Sequence, residues 1–110
     1  MFGISGKRTA SISMKEAQSE LEHDKGIVLV DVRNTDEYKQ GHIKNSLNVP
    51  LNLVPVILSE KVPDKSARIF VYCLSGARSS QAGNWMIQNG YGNVTNIGGI
   101  SSWRGPIERG

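Results

Sequence analysis

The sequence predicts an α/β domain built on a mainly parallel β-sheet. Two runs of branched and aromatic apolar residues, 27–30 and 69–72, are typical of strands buried on both faces. Segments with apolar residues at helical spacing alternate with these runs. Such alternation over short distances favours a parallel sheet that is flanked by helices. The 110 residues fit a single domain spanning 1–110, of which residues 1–7 are expected to be a loose N-terminal segment.

The first half of the chain is predicted to alternate three strands with two helices. Ser13 and Glu16 have the spacing of a capping box, which indicates a helix that begins at Ser13 and is closed by Gly26. A second, short helix is expected between residues 35 and 40, because Gly41 stops it. The three strands are expected at residues 8–12, 27–30 and 46–49.

The second half is predicted to contain two helices, two strands and a final helical turn. Apolar residues recur at helical spacing within 51–60, and residues 68–73 form the second buried strand. A helix is expected from about Arg78 to Asn89, with Gly90 placed to cap its end. The last strand is expected at residues 94–97, and a short helical turn at residues 101–103.

Composition and charge argue against several functional classes. The net charge is +3 and the basic residues are scattered, so neither a nucleic acid nor a membrane is an expected partner. The single cysteine excludes an internal disulfide and a redox mechanism with a resolving cysteine in the same chain. Two histidines and one cysteine do not suit a structural zinc site, so neither a metal nor a cofactor is expected. No segment resembles a membrane span or signal peptide, and a cytoplasmic location is expected by default.

The strongest chemical signal is the position of Cys73 at the end of a buried strand. In open parallel sheets, ligands bind just beyond the carboxyl ends of the strands. A loop containing Gly76 and a helix start with Arg78 follow, so backbone N–H groups, a helix dipole and a guanidinium are expected around the sulfur. These surroundings lower the pKa of a thiol and favour the thiolate nucleophile. A lone cysteine is often a small buried apolar residue, but packing alone does not call for an arginine and two serines beside it.

Several segments of the chain resemble the rhodanese (thiosulfate sulfurtransferase) family of the single-domain type, and the match covers nearly the whole chain. In chain order they are Asp31-Val32-Arg33 with Glu37-Tyr38, Gly41-His42-Ile43 through Pro50, Cys73 to Ser79, Gly90-Tyr91, and Gly98-Gly99-Ile100 through Trp103. The resemblance implies a rhodanese-like three-layer fold, with a central five-stranded mainly parallel sheet flanked by helices. It also implies a double-displacement reaction through a cysteine persulfide.

The resemblance assigns expected roles to the residues around Cys73. The Cys73 thiolate attacks the outer sulfur of a small anionic donor such as thiosulfate, and a thiol or cyanide then removes that sulfur. Donor binding is expected from the loop residues Leu74, Ser75, Gly76, Ala77, Arg78 and Ser79. For Arg78, a solvated arginine at a helix start is the competing interpretation.

Residues outside this loop are expected to act mainly as structure. Asp31 is expected to support the loop through backbone N–H bonds or a pair with an arginine, and Arg33 to form a local ion pair with Glu37. His42 is interpreted as scaffolding, and Trp103 as packing near the loop.

Other functions stay open at this point. The family resemblance implies a six-residue ring, because four residues separate Cys73 from Arg78. Related dual-specificity phosphatases and arsenate reductases have one residue more, which argues against both activities here. A second possibility is a sulfur-relay module that delivers persulfide sulfur to a partner protein with little thiosulfate turnover of its own. A third is a purely structural domain, in which replacement of Cys73 changes only stability.

Overall fold

A five-stranded parallel sheet forms the centre of the structure, a computed structural model that describes residues 9–110. The segment predicted to be loose, residues 1–7, lies outside the described residues. The strands, in chain order, are β1 (Ala10–Ser11), β2 (Val28–Asp31), β3 (His42–Ile43), β4 (Leu47–Asn48), β5 (Ile69–Cys73), β6 (Val94–Gly99) and β7 (Ile107–Glu108). The central sheet has the order β1-β6-β5-β2-β4, and every pair in it is parallel.

Four helices connect these strands: α1 (Met14–His23), α2 (Thr35–Gln40), α3 (Val54–Lys61) and α4 (Ala77–Gln88). Short 3-10 turns precede α3 at Leu51–Leu53 and follow β6 at Ile100–Ser102. The capping box predicted at Ser13 is present, with the Ser13 side chain accepting from the backbone N–H of Glu16. Helix α1 ends at His23, before Gly26, because Asp24 adopts an extended conformation and accepts the Gly26 N–H at 2.9 Å.

The sheet separates two apolar clusters, so the fold has three layers. Side chains of successive strand residues point to opposite faces. Accordingly, Val30 and Val71 pack with α3 and α4, whereas Leu29 and Phe70 pack with α1. Each fully buried aliphatic or aromatic side chain contributes about 1.5–3 kcal/mol. The predicted fold, a five-stranded parallel sheet flanked by helices, is confirmed.

A second, two-stranded sheet was not predicted. Strand β3 pairs antiparallel with β7, with His42 opposite Glu108 and Ile43 opposite Ile107. Each strand has two residues, which is too short for a period-2 pattern to indicate a strand. This small sheet connects the end of the described chain to the turn after α2.

Candidate active site

Cys73 is the last residue of β5, the central strand of the sheet. Its side chain is 1% exposed, and helix α4 begins four residues later, at Ala77. Gly76 immediately precedes the helix and has a φ of 107°. Glycine adopts such a left-handed conformation readily, whereas a side chain would resist it. The chain therefore turns sharply between the strand and the helix, with the Cys73 sulfur inside the turn.

Hydrogen-bond donors surround the Cys73 sulfur. The Gly76 N–H donates to Sγ at 3.0 Å, and the Ser79 hydroxyl lies 3.4 Å from Sγ. Burial by itself would raise the pKa of the Cys73 thiol, but hydrogen bonds from the Ser79 hydroxyl and from the N–H groups of Ser79, Gly76 and Ser75 outweigh it. The pKa of Cys73 is therefore lowered, and a larger fraction of the sulfur is thiolate near neutral pH.

Asn96, on β6, is hydrogen-bonded to the Cys73 loop. This role of Asn96 was not predicted from the sequence. Its Nδ2 donates to the Gly76 carbonyl at 3.2 Å, and its Oδ1 lies 2.7 Å from the Ser79 hydroxyl. The same oxygen accepts the Gly98 N–H at 2.9 Å. The sequence feature that could have indicated this role is an amide side chain within the last predicted strand, which runs toward the carboxyl edge of the sheet.

Gly99 allows β6 to lie directly against the loop. A Cβ atom at this position would lie 2.0 Å from the Leu74 carbonyl oxygen and 2.7 Å from the Ser75 Cα. Both neighbours are backbone atoms, so no side-chain rotation would relieve the clash. Gly99 therefore has a geometric role in shaping the site.

Arg78 forms a bidentate ion pair with Glu37. The Nη1–Oε1 distance is 2.7 Å and the Nη2–Oε2 distance is 3.0 Å. This pairing is the main cause that lowers the pKa of Glu37 to about 2. Glu37 also accepts the Asn34 N–H at 3.0 Å as part of the capping box of α2. The predicted local pair between Arg33 and Glu37 is therefore wrong, because the Glu37 carboxylate binds Arg78.

Asp31 and Arg33 form a buried pair with each other. Asp31 is fully buried and Arg33 is 5% exposed, and their Nη2–Oδ2 distance is 2.7 Å. Asp31 also accepts the backbone N–H of Arg33 at 2.8 Å, while Arg33 donates to the Gly41 carbonyl at 2.7 Å. The Asp31 carboxylate thus accepts a backbone N–H and pairs with an arginine, the two expected kinds of contact, but both are to Arg33 and not to the Cys73 loop. Together the two residues fix the segment that leads from β2 to the turn after α2.

His42 and Trp103 lie in scaffold positions. The His42 ring stacks on Tyr38 with centroids 3.6 Å apart, and its Nδ1 lies 2.8 Å from the Tyr38 carbonyl oxygen. Trp103 packs in the cluster on the α1 side, and its indole N–H donates to the Pro106 carbonyl at 3.1 Å. It lines a groove with Gln18 and Leu21 that contains no residue of the Cys73 loop. The Trp103 indole therefore packs on the α1 side of the sheet, in a groove whose lining lacks the Cys73 loop.

Between residues 9 and 110, no group of three His, Cys, Asp or Glu side chains is placed to hold a metal ion. No helix in this range is both long and apolar enough to cross a membrane.

Sequence comparison connects this geometry to named relatives. The chain is 40% identical over 94 residues to a sulfurtransferase of Allochromatium vinosum, covering 84% of this chain and 81% of that protein. It is 36% identical over 81 residues to the thiosulfate sulfurtransferase PspE of Escherichia coli, covering 74% of this chain and 78% of that protein. It is also 40% identical over 82 residues to the tRNA uridine(34) hydroxylase of Erwinia tasmaniensis, covering 70% of this chain but 23% of that protein.

Structural and family comparisons agree with these similarities. A solved structure described as a rhodanese with anions from E. coli superposes with a TM-score of 0.72 at 34% identity, covering 76% of this chain and 99% of that one. The model of the rhodanese-like domain family matches residues 13–106. Since that match spans most of the chain and includes the strand, loop and helix around Cys73, the chain belongs to the rhodanese-like domain family.

Proposed function

We propose that the protein transfers sulfane sulfur from thiosulfate or a similar donor to a thiophilic acceptor through a persulfide on Cys73. The observation that carries the proposal is the environment of the Cys73 sulfur, which is buried, accepts the Gly76 N–H at 3.0 Å and has a lowered thiol pKa. A thiolate in such a site is a nucleophile near neutral pH. The sulfurtransferase names of two relatives support the same reaction class.

The reaction would proceed in two displacements. The Cys73 thiolate attacks the outer sulfur of thiosulfate, the S–S bond breaks, and sulfite leaves with the electron pair of that bond. The product is a Cys73 persulfide, whose outer sulfur is then attacked by cyanide or a thiol, and the thiolate is regenerated. The backbone N–H groups of the loop stabilise the negative charge on the bound sulfur, as an oxyanion hole does for oxygen.

The loop residues would share the binding of the donor. Most of the loop would contribute backbone N–H groups, because it forms the turn around the sulfur. These residues are Leu74, Ser75, Gly76, Ala77 and Ser79. Arg78 would contribute the three guanidinium N–H donors that its pair with Glu37 leaves free, out of the five it carries. Asp31 and Arg33 would act through structure, since they form a buried ion pair with each other.

Intact-protein mass measured before and after thiosulfate addition tests the proposal. The wild-type protein should gain one sulfur atom and release one sulfite, and cyanide should reverse the gain. The Cys73→Ser variant should show neither change. A folded, reduced wild-type protein that gains no sulfur from thiosulfate, polysulfide or an organic persulfide would contradict the proposal.

A sulfur-relay role is the second candidate, and the exposure of Leu74 favours it. This apolar side chain follows Cys73 directly and is 49% exposed, which suits contact with another protein near the loop. Sulfur transfer from the loaded protein to reduced thioredoxin, used as a probe, can be compared with transfer to cyanide at equal concentration. Faster transfer to the protein thiol would support the relay role, whereas faster transfer to cyanide would count against it.

A further inference from the structure

Asn96 lies on the face of β6 that packs against helix α4. In the parallel register of the sheet it lies opposite Val71, whose side chain packs on the α3–α4 face. Its neighbour Thr95 lies opposite Phe70, which packs on the α1 face. Residues paired across neighbouring strands point to the same face of a sheet, and successive residues point to opposite faces. The Asn96 side chain therefore points toward the Cys73 loop, and the Thr95 side chain points away from it.

Two backbone groups determine the orientation of the Asn96 amide. The Gly98 N–H can only donate, and it lies 2.9 Å from Asn96 Oδ1. The Gly76 carbonyl oxygen can only accept, and it lies 3.2 Å from Asn96 Nδ2. A flipped amide would place donor against donor and acceptor against acceptor. The Asn96 atom that lies 2.7 Å from the Ser79 hydroxyl is therefore an acceptor, and the hydroxyl donates to it.

The Ser79 hydroxyl has one proton and a restricted choice of acceptors. The Gly76 carbonyl oxygen already accepts the Ser80 N–H at 3.1 Å and the Asn96 Nδ2 at 3.2 Å, which occupies both of its lone pairs. The remaining acceptors are Asn96 Oδ1 at 2.7 Å and Cys73 Sγ at 3.4 Å. An uncharged sulfur is a weak acceptor, whereas a thiolate is a strong one. The hydroxyl therefore bonds to Asn96 beside a thiol and to Sγ beside a thiolate.

We propose that Asn96 is a positioning residue that holds the Ser79 hydroxyl while the inner sulfur of Cys73 is uncharged and releases it when that sulfur ionises. The hydroxyl rotates between the two acceptors, and no proton leaves Ser79. In a persulfide the negative charge lies on the outer sulfur, so the hydroxyl returns to Asn96. This last step rests on the persulfide chemistry proposed for Cys73, whereas the exchange between thiol and thiolate does not. Asn96 thus stabilises the thiol and persulfide states relative to the thiolate.

Charged side chains on the surrounding elements also influence ionisation of the sulfur. They are Arg78 of α4 with its partner Glu37 of α2, the buried pair Asp31 and Arg33 that follows β2, and the exposed Glu60 and Lys61 of α3. Neither β6 nor the turn that follows it contains an ionisable side chain. The same charges are present in every variant used below, so a double-mutant cycle between Ser79 and Asn96 cancels their contribution.

The thiol pKa of Cys73, measured in such a cycle, tests the proposal. It is taken from the pH profile of iodoacetamide alkylation, which reports on Cys73 alone because the chain contains one cysteine. The quantity compared is the rise in this pKa that Ser79→Ala causes in the wild type, in Asn96→Ala and in Asn96→Asp. Asn96→Asp is nearly isosteric, so the test does not depend on the alanine variant folding.

The proposal predicts deviations of opposite sign in the two Asn96 backgrounds. The rise reflects the bond from the hydroxyl to the thiolate minus the bond that it makes beside the thiol. Asn96→Ala weakens the second bond, so the rise should be about half a pH unit larger than in the wild type. Asn96→Asp strengthens it through a charged acceptor, so the rise should be smaller. In Thr95→Ala, the matched control, the rise should equal that of the wild type.

Two results of the cycle would overturn the proposal. Equal rises in the wild type and in both Asn96 backgrounds would mean that Asn96 does not hold the hydroxyl. A rise in Asn96→Ala that is smaller than in the wild type would mean that Asn96 only directs the hydroxyl at the sulfur, the opposite of the proposed exchange.

A second measurement addresses the persulfide, with thiosulfate and sulfite as probes. At a pH above the thiol pKa, Asn96→Ala should lower the equilibrium constant for loading of Cys73 about threefold, and it should have no effect in a Ser79→Ala background. An equal equilibrium constant in the wild type and in Asn96→Ala would contradict the return of the hydroxyl in the persulfide. If no donor loads Cys73, the proposed function is wrong, while the pKa cycle still decides the role of Asn96.

Discussion

At the scale of single residues, the Ser79 hydroxyl is the one side-chain donor among the groups that lower the pKa of Cys73. The Ser79 hydroxyl is fully buried and lies within 3.4 Å of three acceptors: Cys73 Sγ, the Gly76 carbonyl oxygen and Asn96 Oδ1. A hydroxyl has one proton to donate, so it serves one of these acceptors at a time. Hydrogen bonds to ionised acceptors are the stronger ones, so ionisation of the sulfur draws this proton toward Sγ. Ser79 thus stabilises the thiolate more than the thiol.

Replacing Ser79 with alanine should therefore raise the pKa of Cys73. The lowered thiol pKa depends on donors that outweigh burial, and the variant removes one donor while burial stays. At a fixed pH below the thiol pKa, the thiolate fraction and the rate of alkylation should fall. The measurement is the rate of iodoacetamide alkylation as a function of pH. Ser80→Ala is the matched control, and superimposable profiles for the two variants would show that the hydroxyl does not stabilise the thiolate.

Breaking the buried Asp31–Arg33 pair is expected to lower the free energy of unfolding rather than to change the chemistry at Cys73. Asp31→Ala leaves the Arg33 guanidinium, which is 5% exposed, without its carboxylate partner. Removing one partner of a buried ion pair destabilises a protein by about 3–5 kcal/mol. Urea unfolding measures the loss, with the exposed Glu60→Ala as control, which should change stability by less than about 0.5 kcal/mol. Equal unfolding midpoints for the two variants would be incompatible with a structural role for this pair.

At the scale of secondary-structure elements, the contact between β6 and the Cys73 loop determines the shape of the site. Gly99→Ala places a Cβ where the Leu74 carbonyl oxygen lies, so either the loop or the strand must move. A displacement of about 1 Å in a reacting group can slow a reaction about 100-fold. We expect sulfur loading of this variant to slow by about that factor, measured by intact-protein mass. Gly92→Ala, where a Cβ would meet nothing within 4 Å, should load at the wild-type rate.

This prediction concerns geometry, so folding must be measured alongside loading. Far-UV circular dichroism should show that the Gly99→Ala variant keeps its secondary structure, because the added methyl group touches the loop and not the ladder of the sheet. A folded variant that loads sulfur at the wild-type rate would mean that the loop tolerates the displacement.

The elements themselves were largely predictable because their signals are local. The capping box at Ser13 and the continuous apolar runs of β2 and β5 depend on residues close in sequence. The β3–β7 pair was not predictable, because it joins residues about 65 positions apart and each strand has two residues. Local patterns predict elements, whereas short pairings between distant segments depend on how the whole chain packs.

The same distinction explains what was predictable in the candidate site. The strand, loop and helix around Cys73 are contiguous, so their order alone indicated a sulfur inside a ring of N–H groups. The partner of Arg78 could not be read in this way, because Glu37 lies 41 residues earlier, and Arg33 was closer to Glu37 in sequence. The contribution of Asn96 likewise depends on strand order, which places β6 beside β5.

At the scale of the whole molecule, the position of β5 explains how the Cys73 loop is kept in place. This strand lies between β2 and β6, and all five of its residues are buried. Its backbone pairs with β2 as far as Tyr72 and with β6 as far as Cys73, so the loop begins from a strand that is held on both sides. Glu37 of α2, Asn96 of β6 and Ser101 of the turn after β6 reach the loop from elsewhere, so the site combines elements from both halves of the chain.

The two apolar clusters share one sheet, and this predicts a single cooperative unfolding transition. Trp85 packs against the cluster on the α3–α4 face, whereas Trp103 packs against the cluster on the α1 face. The variants Trp103→Phe and Trp85→Phe therefore each leave one tryptophan, reporting on one face. Because β2, β5 and β6 each contribute residues to both clusters, loss of one face removes the support of the other, as in other small two-state domains. Within each variant, the urea midpoint from tryptophan fluorescence should equal the midpoint from far-UV circular dichroism. Comparison within a variant removes the effect of the substitution on stability. A fluorescence midpoint below the circular dichroism midpoint in Trp85→Phe alone would instead mean that the α1 face opens first, while the layer carrying the Cys73 loop stays folded.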